Sequence, residues 1–134
     1  MERVEKNRTL WISLLSCTVG RMQYEGEVIG GGKSATQLGF PTANIACEKD
    51  RMVSGIYAAR IKVDGTQFDA VSYMNKSRDI LESHLFDFSG ELYGKHISVE
   101  LLVKLRDDMT FETEEEARAQ IGRDVAAARK YFGI

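Results

Sequence analysis

The chain has 134 residues, 43% of them hydrophobic, with 18 basic side chains against 20 acidic ones and a net charge of −2. A chain of that length suits one domain, which buries roughly two-thirds of the surface its unfolded form exposes, so its core needs no disulfide or metal staple. The near balance of charge excludes a general nucleic-acid binder, which carries a strong basic excess, and the hydrophobic share excludes a large disordered protein.

Residues 1–22 stand apart from the rest. Arg3, Lys6 and Arg8 precede the apolar run Leu10-Trp11-Ile12-Ser13-Leu14-Leu15. That run is far shorter than the ~20 residues a helix needs to cross a bilayer. Leu14-Leu15-Ser16-Cys17 resembles a lipoprotein cleavage box, but Glu2 and Glu5 dilute the basic region that an export signal needs. Residues 1–22 are expected to be a leader, disordered or packed on a domain spanning 23–134. Cys17 and Cys47 form no Cys-x-x-Cys pair, and only His84 and His96 supplement them, so they read as reduced thiols of a cytosolic protein.

From Gln23 the pattern is strand-like. Gln23 to Ile29 is a short extended run, broken by Gly30-Gly31-Gly32. Ile56 to Val63 is rich in strand formers, with alternation clearest at Arg60-Ile61-Lys62-Val63, and it meets Asp64-Gly65. Asp-Gly between two such runs is a strong hairpin signal, because both central residues of a type I′ turn need positive φ; Thr66 to Tyr73 is then the returning strand. Ile80 to Phe88 and His96 to Leu105 supply two more, separated by a turn at Ser89-Gly90-Glu91. About five strands without intervening helices predict an antiparallel sheet closed into a barrel. The period then changes. Thr113 followed by Glu116 fits a capping box, and Ala117, Ile121, Val125, Ala128 and Phe132 make one apolar stripe of a C-terminal amphipathic helix.

The densest functional signal is the segment from Gly30 to Asn44. Consecutive glycines let backbone N–H groups approach an anion, and Lys33 adds a mobile positive charge, as in a phosphate cradle. Gly32-Lys33-Ser34 imitates the end of a Walker A motif, but the required first glycine falls on Glu27, and Gly39 and Pro41 sit where that motif's helix would run. A plain glycine turn is the alternative. Pro41 fixes φ just ahead of Thr42 and Asn44, two oxygen donors suited to a hard cation; a helix cap or Asx turn uses the same residue types, and the residue chemistry leaves the two open. By residue type alone, Glu82 reads as a solvent-facing strand carboxylate and His84, on the same sheet face, as a packing residue. Arg106-Asp107-Asp108 reads as a solvated turn, and Tyr93 and Phe111 as core.

Gly39-Phe40-Pro41-Thr42-Ala43-Asn44, preceded by spaced glycines, resembles the signature of the riboflavin kinase family. Gly55-Ile56-Tyr57-Ala58, the segment Glu82-Ser83-His84-Leu85-Phe86-Asp87-Phe88, Leu92-Tyr93-Gly94, Leu105-Arg106, and Gln120-Ile121 with Asp124, Ala128 and Arg129 follow in the order of that family's further motifs. The resemblance covers about residues 24–132. It implies a mainly β fold, a six-stranded antiparallel closed barrel with a C-terminal amphipathic helix. It implies transfer of the γ-phosphoryl group of ATP to the ribityl 5′-hydroxyl of riboflavin, giving FMN and ADP, with Mg²⁺ as cofactor. Carried over by residue, Gly30, Gly32, Lys33 and Thr42 correspond to nucleotide phosphate contacts, Thr42 and Asn44 to metal ligands, and Glu82 to the general base. Arg106, Met74 and Asn75 fall on the flavin side. ATP/ADP and riboflavin/FMN are the expected partners of a cytoplasmic monomer that meets neither nucleic acid nor membrane. No nucleotidyltransferase domain is expected ahead of the barrel.

The chain departs from the family pattern at several points. The glycine and proline-containing loop between the strand ending near Tyr73 and the glutamate are replaced by Met74 and a shortened segment at 74–79. Val53 stands for a proline, and Ala35 and Thr36 for a glycine and an arginine. These departures define the competing expectation, a catalytically weak flavin- or nucleotide-binding paralogue acting in sensing or partner binding. An oligonucleotide-binding barrel is disfavoured by the matched charges.

Overall fold

The computed structural model describes residues 22–29, 42–48, 53–75, 79–88 and 90–134. Residues 1–21 of the leader, the glycine loop with Gly30, Gly32 and Lys33, and Lys76 to Arg78 of the divergent segment lie outside the described residues. The elements are β1 (Met22–Glu27), β2 (Ala43–Ala46), β3 (Gly55–Val63), β4 (Thr66–Asn75), β5 (Ile80–Leu85), β6 (His96–Arg106) and α1 (Glu114–Phe132). Met22, assigned above to the leader, is the first residue of β1.

All six strands form one antiparallel sheet in the order β1-β6-β3-β4-β5-β2. The sheet curls until its two end strands meet at a bridge between Ile29 and Asn44, where the Ile29 N–H donates to the Asn44 carbonyl at 2.8 Å. The result is a nearly closed barrel. At the seam Gly26 matters, because a Cβ there would lie 3.3 Å from Cβ of Ile45. β2 is the strand that hydrophobic periodicity does not reveal; four residues long and seated between motif residues, it carries too little pattern.

The β3–β4 hairpin turns at Asp64-Gly65, with φ of 50° and 82°, as the type I′ expectation requires. β4 runs two residues beyond the expected Tyr73, to Asn75, whereas β5 stops at Leu85. The expected short turn at 89–91 is part of a longer connection from 86 to 95. It folds Leu92 into the core and ties itself to the barrel through Val28 N–H to Lys95 carbonyl and Gly94 N–H to Val28 carbonyl.

Alternate residues fill the barrel: Tyr57, Ala59, Ile61 and Val63 of β3, Ile97, Val99 and Leu101 of β6, and Leu81 and Leu85 of β5 belong to one buried cluster. Ser72 and Ser83 face each other within it, their hydroxyls sharing one 2.7 Å hydrogen bond. The opposite, outer face of β3 and β4 carries a second cluster, in which Ile56, Ala58, Val71 and Phe86 pack against Ala128 of the helix, with Tyr73, Leu105, Val125 and Phe132 at its margin. Ala128 is fully buried, a small side chain where the helix lies closest to the sheet. Thr113 caps the helix as expected, its Oγ1 accepting from the Glu116 N–H at 3.1 Å, and three glutamates follow in the first turn, where the helix dipole favours them. Gly133, at φ 77°, closes the other end.

Candidate active site

Strand register lays the site out as a row across the outer face. Arg106 on β6 lies opposite Ile56 on β3, Ile56 opposite Tyr73 on β4, Tyr73 opposite Glu82 on β5, and Glu82 opposite Asn44 on β2. The row depends on Gly55, whose φ of 140° would strain a side chain and whose Cβ would lie 2.8 Å from the Arg106 carbonyl oxygen.

Above the row a cavity of about 320 Å³ opens between the sheet and α1. Its apolar walls include Ile56, Val71, Met109, Phe111 and Ile121, and Glu82, Asn75, His84 and Arg106 place polar groups into it. A second cavity of about 370 Å³ lies toward the 86–95 connection, between Leu92, Tyr93 and Phe88. Thr42 and His84 line both cavities.

Glu82 is 5% exposed, so the solvent-facing reading of its residue type does not hold; the helix and its preceding connection roof the strand face that would otherwise meet water. Asn75 Nδ2 donates to Glu82 Oε2 at 3.3 Å, holding the carboxylate from the side of the β4–β5 hairpin. Across β2, Asn44 is 2% exposed, and its Oδ1 has no hydrogen-bond partner among the described residues. An unpaired buried amide oxygen costs about 1–3 kcal/mol, so a ligand that occupies it is favoured. With Thr42 two residues away, the donors are an amide and a hydroxyl beside a carboxylate, the hard oxygen set that Mg²⁺ accepts when phosphates and waters complete its shell. Among the described residues no group of three or more His, Cys, Asp or Glu could hold a metal, so a protein-only cage is not what this region offers. The residues present fit a cation shared with a phosphate.

Arg106 is no solvated turn. Its Nε and Nη2 donate to the two carboxylate oxygens of Asp124, each at 2.7 Å, with the side chains 18% and 7% exposed. Gln120 Nε2 adds a bond to Asp124 Oδ1 at 3.0 Å. The arginine is thereby held flat against the cavity by the helix. Tyr73 is half-buried, and its hydroxyl donates to Asp108 Oδ1 at 3.1 Å. Burial above all, with the Asp108 and Glu82 carboxylates adding to it and Arg106 opposing, pushes the Tyr73 phenol up to about 12.

The fold thus brings Thr42, Asn44, Asn75, Glu82 and Arg106 together. Met74 is placed elsewhere: it is fully buried inside the barrel, because strand alternation sends it to the face opposite Tyr73 and Asn75. Tyr93, read above as core, is 67% exposed, at the rim of the second cavity, while half-buried Phe111 lines the first. Sequence reasoning gave Tyr73 no role beyond ending a strand and read Asp108, which is exposed, only as part of a solvated turn. The available signal was parity, since Tyr73 stands two residues before Asn75 and so shares its face.

These features define a helix-covered antiparallel barrel with a buried carboxylate and a hard-oxygen corner between two cavities. A family model described as Flavokinase: Riboflavin kinase matches residues 19–132, and the chain belongs to the riboflavin kinase family. It is 36% identical over 115 residues to the bifunctional riboflavin kinase/FMN adenylyltransferase of Haemophilus influenzae, covering 80% of this chain and 37% of that protein. The protein of the same description from Escherichia coli K12 is 35% identical over 117 residues, covering 81% and 37%. The chain thus spans under two-fifths of the length of these curated relatives. Among solved structures, riboflavin kinase from Trypanosoma brucei matches with a TM-score of 0.62 and 21% identity, covering 84% of this chain and 78% of that one. A macrolide-efflux protein from Streptococcus pneumoniae matches with a TM-score of 0.68 and 23% identity, covering 80% and 38%. At those identities the structures speak to the fold, which they share.

Proposed function

We propose that this chain is a riboflavin kinase: it transfers the γ-phosphoryl group of ATP to the ribityl 5′-hydroxyl of riboflavin, giving FMN and ADP. The observation that carries the reading is the pair of adjoining cavities that meet at Thr42 and His84, with buried Glu82 facing the larger apolar wall. Two cavities with one shared corner suit a donor and an acceptor that must meet in line.

In this reading the flavin ring occupies the apolar cavity, and its ribityl chain runs toward Glu82. The Glu82 carboxylate accepts the proton of the 5′-hydroxyl as that oxygen bonds to the γ-phosphorus and the bond to the ADP oxygen breaks; the proton then leaves to solvent. Asn75 orients the carboxylate, and Arg106, locked by Asp124, flanks the flavin. Thr42 and Asn44 would hold Mg²⁺, whose charge neutralises the phosphates when bound. The glycine loop with Gly30, Gly32 and Lys33 is assigned to the phosphates by its sequence. ATP as donor suits a cytoplasmic reaction, and site residues drawn from one chain suit a monomer. Among the described residues no helix is long and apolar enough to cross a membrane.

The test is a purified-protein assay with riboflavin, ATP and Mg²⁺, separating FMN from riboflavin by chromatography. Wild type is expected to make FMN, and Glu82→Gln to lose about 10²–10⁴-fold in kcat, the range for removal of a general base. Flavin or ADP binding without FMN formation would replace the kinase by the binding paralogue.

A further inference from the structure

The segment between β6 and α1, residues 107–113, supplies Met109 and Phe111 to the wall of the apolar cavity beneath the helix. Its two ends are fixed by contacts already in place. At the start, Arg106 Nη1 donates to the Asp107 carbonyl at 2.9 Å while the same guanidinium grips Asp124. At the far end, the Glu112 N–H donates to Glu116 Oε1 at 3.1 Å and Thr113 caps the helix. Between these ends, Asp108 Oδ1 accepts from both the Met109 N–H at 2.9 Å and the Tyr73 hydroxyl at 3.1 Å. One carboxylate oxygen therefore shapes the segment and ties its middle to β4. Asp108 is exposed and Tyr73 half-buried; the Tyr73 ring packs on the cluster of Ile56, Ala58 and Val71, so its hydroxyl is presented from a rigid base.

Resting on the kinase reading, we propose that the Tyr73–Asp108 hydrogen bond is the positioning contact that sets affinity for the acceptor, by holding Met109 and Phe111 against the flavin cavity. The bond lies on the cavity rim, and the base and the hard-oxygen corner lie on β5 and β2. It therefore acts on acceptor binding, and the phosphoryl-transfer step proceeds without it. The phenol, with its ionisation pushed upward, stays a donor throughout the neutral range.

Steady-state kinetics with riboflavin varied at saturating MgATP test this, beside hydrogen exchange of amides 107–113 and thermal melting. Tyr73→Phe keeps the ring and deletes the bond; it is expected to raise KM for riboflavin about tenfold, the scale of one lost hydrogen bond to a charged group, with kcat within about twofold and faster exchange at 107–113. Asp108→Ala should do the same. In Asp108→Asn the amide oxygen still accepts, and KM should return close to wild type. Unchanged KM and exchange in Tyr73→Phe would overturn the proposal, as would a lower melting temperature and kcat at constant KM, the signature of a purely structural bond. If wild type makes no FMN, the kinase reading fails separately. Riboflavin affinity by fluorescence then decides the contact: a roughly tenfold loss in Tyr73→Phe sustains it, whereas no riboflavin binding by wild type, or binding that Tyr73→Phe leaves unchanged, overturns it.

Discussion

Asn44 shows what a single buried side chain costs when the fold leaves one of its polar atoms without a partner among the described residues. Its amide oxygen lies unpaired next to Glu82, a cost the folded chain carries until something polar arrives. Ligand binding to the native state adds stability by mass action, about 2.7 kcal/mol at a hundredfold excess over Kd, which in a domain this small raises Tm by roughly 10 °C. MgADP at that excess is expected to give wild type a shift of this size, and Asn44→Ala less than half of it at the same concentration, read by calorimetry. An equal shift in both proteins would place the cation elsewhere. The motif around Thr42 and Asn44 was legible in the sequence as a candidate cation site. Its burial was not, since that follows from β2 pairing with β5, a long-range contact that no local pattern encodes.

Among the elements, the helix and β6 are joined by the Arg106–Asp124 pair. Burying an ion pair gains little over a well-packed apolar pair, but removing one partner leaves the other charge stranded, at about 3–5 kcal/mol. Asp124→Ala is therefore expected to lose stability of that order in urea unfolding. A double replacement, Arg106→Met with Asp124→Leu, should recover most of it while still weakening riboflavin binding, because the guanidinium is gone from the cavity. Asp124 sits on the helix face that its apolar stripe defines, and it gave no periodic signal of its own. The stripe itself was plain, as was the hairpin at Asp64-Gly65. In β3 the alternation was clearest from Arg60 to Val63, and the structure gives the reason: Gly55 to Ala59 are buried throughout, between the barrel interior on one face and α1 on the other, so both faces are apolar. The same roof explains why Glu82 looked like a surface residue and is not one.

At the scale of the whole molecule, barrel and helix shield two phenols whose ionisation the fold resists, Tyr57 inside the barrel and half-buried Tyr73 on its outer face. Burial raises Tyr57 above the ordinary value, with nearby Lys104 opposing, and its hydroxyl donates to the Val53 carbonyl at 2.8 Å. Tyr73 is raised to about 12. Both bonds need the proton, since a phenolate cannot donate to a carbonyl or a carboxylate. Below pH 10 both states of the protein keep these protons, and the stability associated with them is fully present. As pH climbs past 10 the unfolded chain releases protons that the folded chain retains, so the unfolded state is increasingly favoured, and the contribution of Tyr73 is lost on approach to about 12. Unfolding free energy measured in urea should therefore fall as pH rises from 10.0 toward about 12, and the fall should be shallower in Tyr73→Phe, which has no proton to lose. Equal slopes in the two proteins would mean that the helix, its connection and the sheet do not shield the phenol together, and that the roof over the cavity is looser than the packing of Tyr73 against Ile56 and Val71 implies.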